Sequence, residues 1–143
     1  MLQKCLDKLI TSEVYIMVQI TKREERILIM EKLYSYDMEN NFIFLTPLDD
    51  YSDYVNEIVN FVCANLNKID ELISSSLVNY RLSRLSYVDR AIIRMATAEL
   101  LNGLAKKIVI NEALEIVKLY SDEGEGKSVA FVNKVLDTIA KKI

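Results

Sequence analysis

The chain has 143 residues, 51% of them hydrophobic and 27% charged, which is one domain's worth of sequence with enough apolar material to bury a core. It holds no His, no Trp, one Pro, three Gly and two Cys. Without His, Ser-His-Asp and Cys-His nucleophile systems and imidazole metal sites are excluded. So few Gly and Pro cannot punctuate an all-β sandwich, and Gly103, Gly124 and Gly126 do not fit G-x-G-x-x-G.

The net charge of −3 is unevenly spread: residues 1–36 carry +1, residues 37–79 carry −7 and residues 80–143 carry +3. A local basic face can still bind phosphate, because salt screens charges beyond about 8 Å. Cys5 and Cys63 form no C-x-x-C pair and are expected to be reduced. No signal peptide is visible and no apolar run approaches the ~20 residues of a membrane span. A cytoplasmic protein with no cofactor and no metal site is expected.

Residues 1–17 read as an N-terminal extension of uncertain structure. Leu2, Leu6, Leu9 and Ile10 would share a helix face, while Val14, Ile16 and Val18 suit a strand equally well. Thr21 with Glu24 three residues later reads as a capping box opening a helix to about Asp37, with an apolar stripe at Ile27, Met30, Leu33 and Tyr34. Residues 38–49, which contain Pro47, read as a loop. Asp49 or Asp50 can cap the next helix, whose stripe runs from Val55 through Val62 and on to Ile73. A break is expected near Asn65–Asn67.

Ser86 with Asp89 marks another helix start, and Tyr87–Leu104 is the most apolar stretch of the chain. A helix with so narrow a polar face should sit centrally, with Gly103 ending it. Arg90, Arg94 and Glu99 on that helix read as structural partners. Ile108–Tyr120 is the next helix, its stripe Ile110, Leu114, Val117 and Leu119. Ser121–Lys127 is a polar loop, and Ser128 caps a last helix bearing Val132, Val135, Leu136 and Ile139. The chain thus reads as all-α, with six or seven helices.

Two basic regions are candidates for polyanion binding. Lys22, Arg23 and Arg26 lie within one and a half turns of a helix start, with Tyr34 and Tyr36 further on. Gly126-Lys127-Ser128 looks like the end of a phosphate-cradling loop, but Ser121 stands where the first Gly would be and a helix precedes it where a strand is needed. Phe131 beside Lys127 reads either as a core aromatic or as a base-stacking platform.

Three further motifs carry a resemblance. They are Arg84-Leu85 with Val88-Asp89-Arg90-Ala91-Ile92-Ile93-Arg94 and Glu99-Leu100; Ile110-Asn111-Glu112-Ala113; and Phe131-Val132-Asn133 with Val135-Leu136-Asp137. In this order and spacing they resemble the NusB family of bacterial transcription antitermination factors, and Lys22-Arg23-Glu24-Glu25-Arg26 resembles its Arg-rich first helix. The resemblance implies an all-α fold of about seven helices in two packed helical subdomains, with residues 18–143 as a single RNA-binding domain. It implies a non-enzymatic role: binding boxA RNA of ribosomal RNA leader transcripts with the ribosomal protein NusE, in the RNA polymerase antitermination complex.

Carried onto this sequence, the RNA face is Lys22, Arg23, Arg26, Tyr34, Lys127, Ser128 and Phe131, and Asp89 faces the protein partner. If the first and last helix starts lie together, the cations converge on one patch. Glu24 and Glu25 dilute the Arg-rich stretch, and Lys134 replaces a family Gly. Two other readings remain: a NusB-like interaction module with weakened RNA binding, or an accessory domain of an rRNA methyltransferase. A homodimer through the partner face is also left open.

Overall fold

The computed structural model describes residues 22–48, 51–122 and 124–143. The extension 1–17, Thr21 of the capping box, and Asp49 and Asp50 fall outside these.

Helix α1 spans residues 22–38. It buries Ile29, Met30 and Leu33, while Ile27 is half-buried and Tyr34 lies exposed, so the stripe is narrower than the spacing suggested. It ends with Asn40 in the left-handed region at φ 52°, where the Asn41 and Asn40 amides donate to the Tyr36 and Asp37 carbonyls. Asn tolerates that conformation better than most residues. The following loop is tied to α2 by one side chain. Asn56 accepts from the Leu48 amide at 2.8 Å and donates to the Leu48 carbonyl at 3.0 Å.

Helix α2 is Asp53–Ala64. Its cap is Ser52, whose hydroxyl accepts from the Val55 amide, and not Asp49 or Asp50. The expected break occurs at Asn65, and α3 runs Leu66–Ser76. A 3₁₀ turn, Leu82–Arg84, leads into α4, Tyr87–Leu101. Ser86 caps α4 by accepting from the Asp89 amide. Only half of a capping box forms, because the Asp89 carboxylate instead takes the Ser121 hydroxyl. Gly103 at φ 83° closes α4: its amide and that of Leu104 donate to the Leu100 and Glu99 carbonyls. This pair of bonds satisfies carbonyls that the helix end would otherwise leave open.

Helix α5 is Lys106–Tyr120 and α6 is Lys127–Lys142. On α5 the buried residues are Val109, Ala113, Ile116 and Val117, whereas Leu119 is exposed. Apolar residues occur all round α5, so their spacing alone does not fix its inner face. On α6 the buried stripe contains Val132, Val135, Leu136 and Ile139, as the period predicts. Ser128 is not the cap of α6. That position is Gly126 at φ 72°, whose amide donates to Asp122, and Ser128 sits in the first turn.

Among the described residues there are thus six α-helices, one 3₁₀ turn and no strand. No helix of the described residues is long and apolar enough to cross a membrane. Every residue from 91 to 100 is buried, which places α4 at the centre with the other helices around it. Its buried charged side chains, Arg90, Arg94 and Glu99, are neutralised from outside the helix and not by one another. Arg90 Nε donates to Asp37 of α1 at 2.7 Å. Arg94 forks onto Asp70 of α3 at 2.9 and 3.0 Å and also reaches Asp37 at 3.0 Å. Glu99 faces Arg26 of α1. These pairs set α1 antiparallel to α4, with the start of α1 beside the end of α4.

Candidate nucleic-acid interface

Lys22 opens α1 with its ammonium 3.1 Å from the centroid of the Tyr54 ring, a cation–π contact. Partial burial there lowers its pKa below the ordinary lysine value. Arg23 is 44% exposed and binds Glu112 of α5 through Nε at 3.0 Å and Nη2 at 3.1 Å. The Glu112 hydrogen bonds raise the Arg23 pKa further. Lys22, Arg23 and Glu24 line a groove of about 630 Å³ against Ile108 and Glu112.

Arg26 reaches that groove only at its floor. It is 4% exposed, and its Nε–H points at both oxygens of Glu99, each 3.1 Å away. Glu99, 1% exposed, also accepts from the Tyr54 hydroxyl. One residue chain therefore links surface to core: Lys22 sits on the Tyr54 ring, Tyr54 bonds Glu99, and Glu99 holds Arg26.

The remaining candidates lie elsewhere. Tyr34 meets Tyr87 edge-on, with centroids 6.1 Å apart. Lys127 is 86% exposed and pairs with Glu125, and Ser128 is half-buried beside it. Phe131 is half-buried against Tyr80 at 5.6 Å. Asp89 is half-buried and held by Ser121. Lys134 is exposed, so its bulk meets water and not a neighbouring helix.

The structure therefore does not merge the two basic regions. Helices α4, α5 and α6 alternate in direction, so α6 starts beside the start of α4, while α1 starts beside its end. Asp89 and Glu99 mark those two ends of α4, about 15 Å apart at the helical rise. Lys22 and Arg23 form one group; Tyr34, Tyr87, Asp89, Lys127 and Phe131 belong to the other end. Tyr54, Tyr80 and Tyr87 were not singled out by sequence reasoning. Nothing in the local pattern marks them, because each acts by meeting a residue distant in the chain.

The NusB family profile matches residues 14–141. The chain belongs to the NusB family. Proteins named transcription antitermination protein NusB are among its relatives. The one from Clostridium botulinum is 47% identical over 91 residues, covering 62% of this chain and 66% of that protein. The one from Clostridium perfringens is 41% identical over 108 residues, covering 74% and 76%. In structure, T. maritima NusB superposes with a TM-score of 0.70 at 33% identity, covering 84% of this chain and 90% of that one. A chain from the crystal structure of a plectonemic RNA supercoil also gives 0.70, at 26% identity and covering 85% and 94%. The NusB fold is thus the frame in which the Lys22–Arg23 groove and the Tyr34–Tyr87 pair are set.

The half-buried phenols and thiol of this fold imply an alkaline limit. Burial, then the Glu99 hydrogen bond, raises the Tyr54 pKa far above that of free tyrosine, and burial raises those of Cys63 and Tyr36. The unfolded chain releases these protons from about pH 8.5 for Cys and about pH 10 for Tyr, while the folded chain retains them. Stability should be full below about pH 8.5 and fall above it. Lys22, with its lowered pKa, opposes the fall near pH 10. Urea midpoints between pH 7 and 11 test this. The Tyr54→Phe variant should lose stability less steeply above pH 10 than the parent; equal slopes would refute the assignment.

Proposed function

We propose that this chain is a transcription antitermination factor that binds boxA-type RNA of ribosomal RNA leader transcripts together with the ribosomal protein NusE, within the RNA polymerase antitermination complex. The observation that carries the reading is the exposed cationic start of α1. There Lys22 is positioned by Tyr54 and Arg23 by Glu112, in a chain of NusB fold and family. A chain of this fold in an RNA crystal structure supports it. Lys22 and Arg23 contact phosphates at one end of the strand's path, with Lys127 and Ser128 at the other. Tyr34 and Phe131 offer rings to bases. Arg26 serves as the prop beneath α1. Asp89 faces the protein partner, a surface that a second copy of the chain could also cover.

The test is a gel-shift titration of boxA RNA with and without the ribosomal protein. Binding should be tight only with the partner and should weaken steeply between about 50 and 200 mM salt, as phosphate contacts require. No shift in either condition sinks the reading.

A second reading, an interaction module with weakened RNA binding, is favoured by Glu112 engaging Arg23 and by the exposed Glu24 beside it. The Glu24→Arg substitution separates the two. A gain of about tenfold in RNA affinity, the worth of one charge-assisted contact, would mark the native site as degraded. A change below about twofold would leave the first reading standing.

A further inference from the structure

The flank of α5 turned away from the Arg23 groove carries a second basic groove. Lys106 and Lys107 open α5, Lys141 stands near the end of α6, and with Asn111 and Asp137 they line a space of about 340 Å³ floored by Ala140. Among the described residues, three ammonium groups face one carboxylate there, Asp137, which pairs with Lys141 at 3.1 Å. Lys106 and Lys107 are exposed and form no ion pair among the described residues. The two grooves share the first turns of α5: Ile108 and Glu112 line one, Lys107 and Asn111 the other. They are separated by the width of one helix, about 10–12 Å.

We propose that this α5–α6 groove is a second RNA contact, which takes the phosphates of the strand leaving the recognised element. The footprint then runs from Lys22 and Arg23 over the start of α5 to Lys106, Lys107 and Lys141. Among the described residues no aromatic ring lines the groove, and lysine meets phosphate as a point charge. It therefore grips backbone without reading bases, and the flanking sequence is immaterial. The proposal rests on the RNA-binding reading above and adds the flanking strand to it.

The experiment compares a boxA RNA with the same RNA extended by a short uridine run at either end, in the presence of the ribosomal protein and at about 0.15 M salt, where distant charges are screened. For the parent chain, extension at one end should tighten binding several-fold. The triple variant Lys106→Gln, Lys107→Gln, Lys141→Gln should lose that gain, bind the unextended RNA as before, and show a salt slope lower by about 2, the release expected from three single-strand phosphates. A charge-matched variant at the exposed Lys68, Lys118 and Lys134 should keep the gain, and thermal melting checks that both variants fold. The proposal fails if extension brings no gain, if the triple variant keeps the gain, if it weakens both RNAs alike, or if the charge-matched variant loses as much. Failure of the unextended RNA to bind at all overturns the functional reading as well.

Discussion

Replacing Arg26 with Met is expected to destabilise the protein by about 3–5 kcal/mol, because it strands a buried carboxylate. Glu99 is almost wholly enclosed, and its partners are Arg26 and the Tyr54 hydroxyl. With Arg26 gone, the charge must stay in a poorly solvated place or take up a proton, and either is costly. For a domain of this size the loss corresponds to a fall in Tm of roughly 10–17 °C. The triple variant Arg26→Met, Tyr54→Phe, Glu99→Leu removes every member of the network together and should recover most of the loss, since apolar groups of similar volume replace a buried ion pair at little cost. Urea unfolding of the single and triple variants measures both. A single-variant loss below about 1 kcal/mol would show that water reaches Glu99.

Arg94→Ala should be the next largest, at about 2–4 kcal/mol. Arg94 lies inside α4 and joins three elements: Asp37 at the end of α1, Asp70 on α3, and the Phe42 ring, 4.9 Å from the guanidinium carbon. The loss stays below that of Arg26 because Asp37 keeps Arg90, and Asp70 is a quarter exposed and can turn to water. Arg94→Lys should regain only part of it, since an ammonium cannot fork onto Asp70 and reach Asp37 together. A lysine variant as stable as the parent would mean that charge alone matters there and geometry does not. Denaturant midpoints at neutral pH decide it.

Much of this fold was legible where one physical signal acted alone. The apolar run of α4 with Gly103 after it gave a buried helix and its end, and the polar Asn65 region gave the α2–α3 break. The period of α6 gave its inner face. The expectations that differ from the structure involve a choice between neighbours. Capping falls to Ser52 and not to Asp49 or Asp50, and to Gly126 and not to Ser128, because helix ends are set by local backbone geometry that several neighbouring residues could satisfy.

Arg26 is the most instructive case. Its charge placed it with Lys22 and Arg23 on a phosphate-binding face. Its position says otherwise, since it stands four residues before Met30 and seven before Leu33, on the buried stripe. Asp37, four residues after Leu33, continues the same line inward. A lone acid such as Glu99 in an apolar helix already demands a cation from elsewhere, and only the packing of α1 on α4 names it. The separation of the two basic regions was illegible for a different reason: it depends on helix directions, which no local pattern encodes.

The way α1 is attached has a dynamic consequence. Helix α4 is covered on all sides from residue 91 to residue 100, so the backbone amides there can exchange with solvent deuterium only when the whole domain opens. Helix α1 is anchored at both ends through charged pairs, Arg26 with Glu99 and Asp37 with Arg90 and Arg94. Breaking those pairs loosens α1 without touching the apolar contacts that α2, α3, α5 and α6 make with α4. The first helix should therefore open as a separate unit, exchanging ahead of the body that it covers.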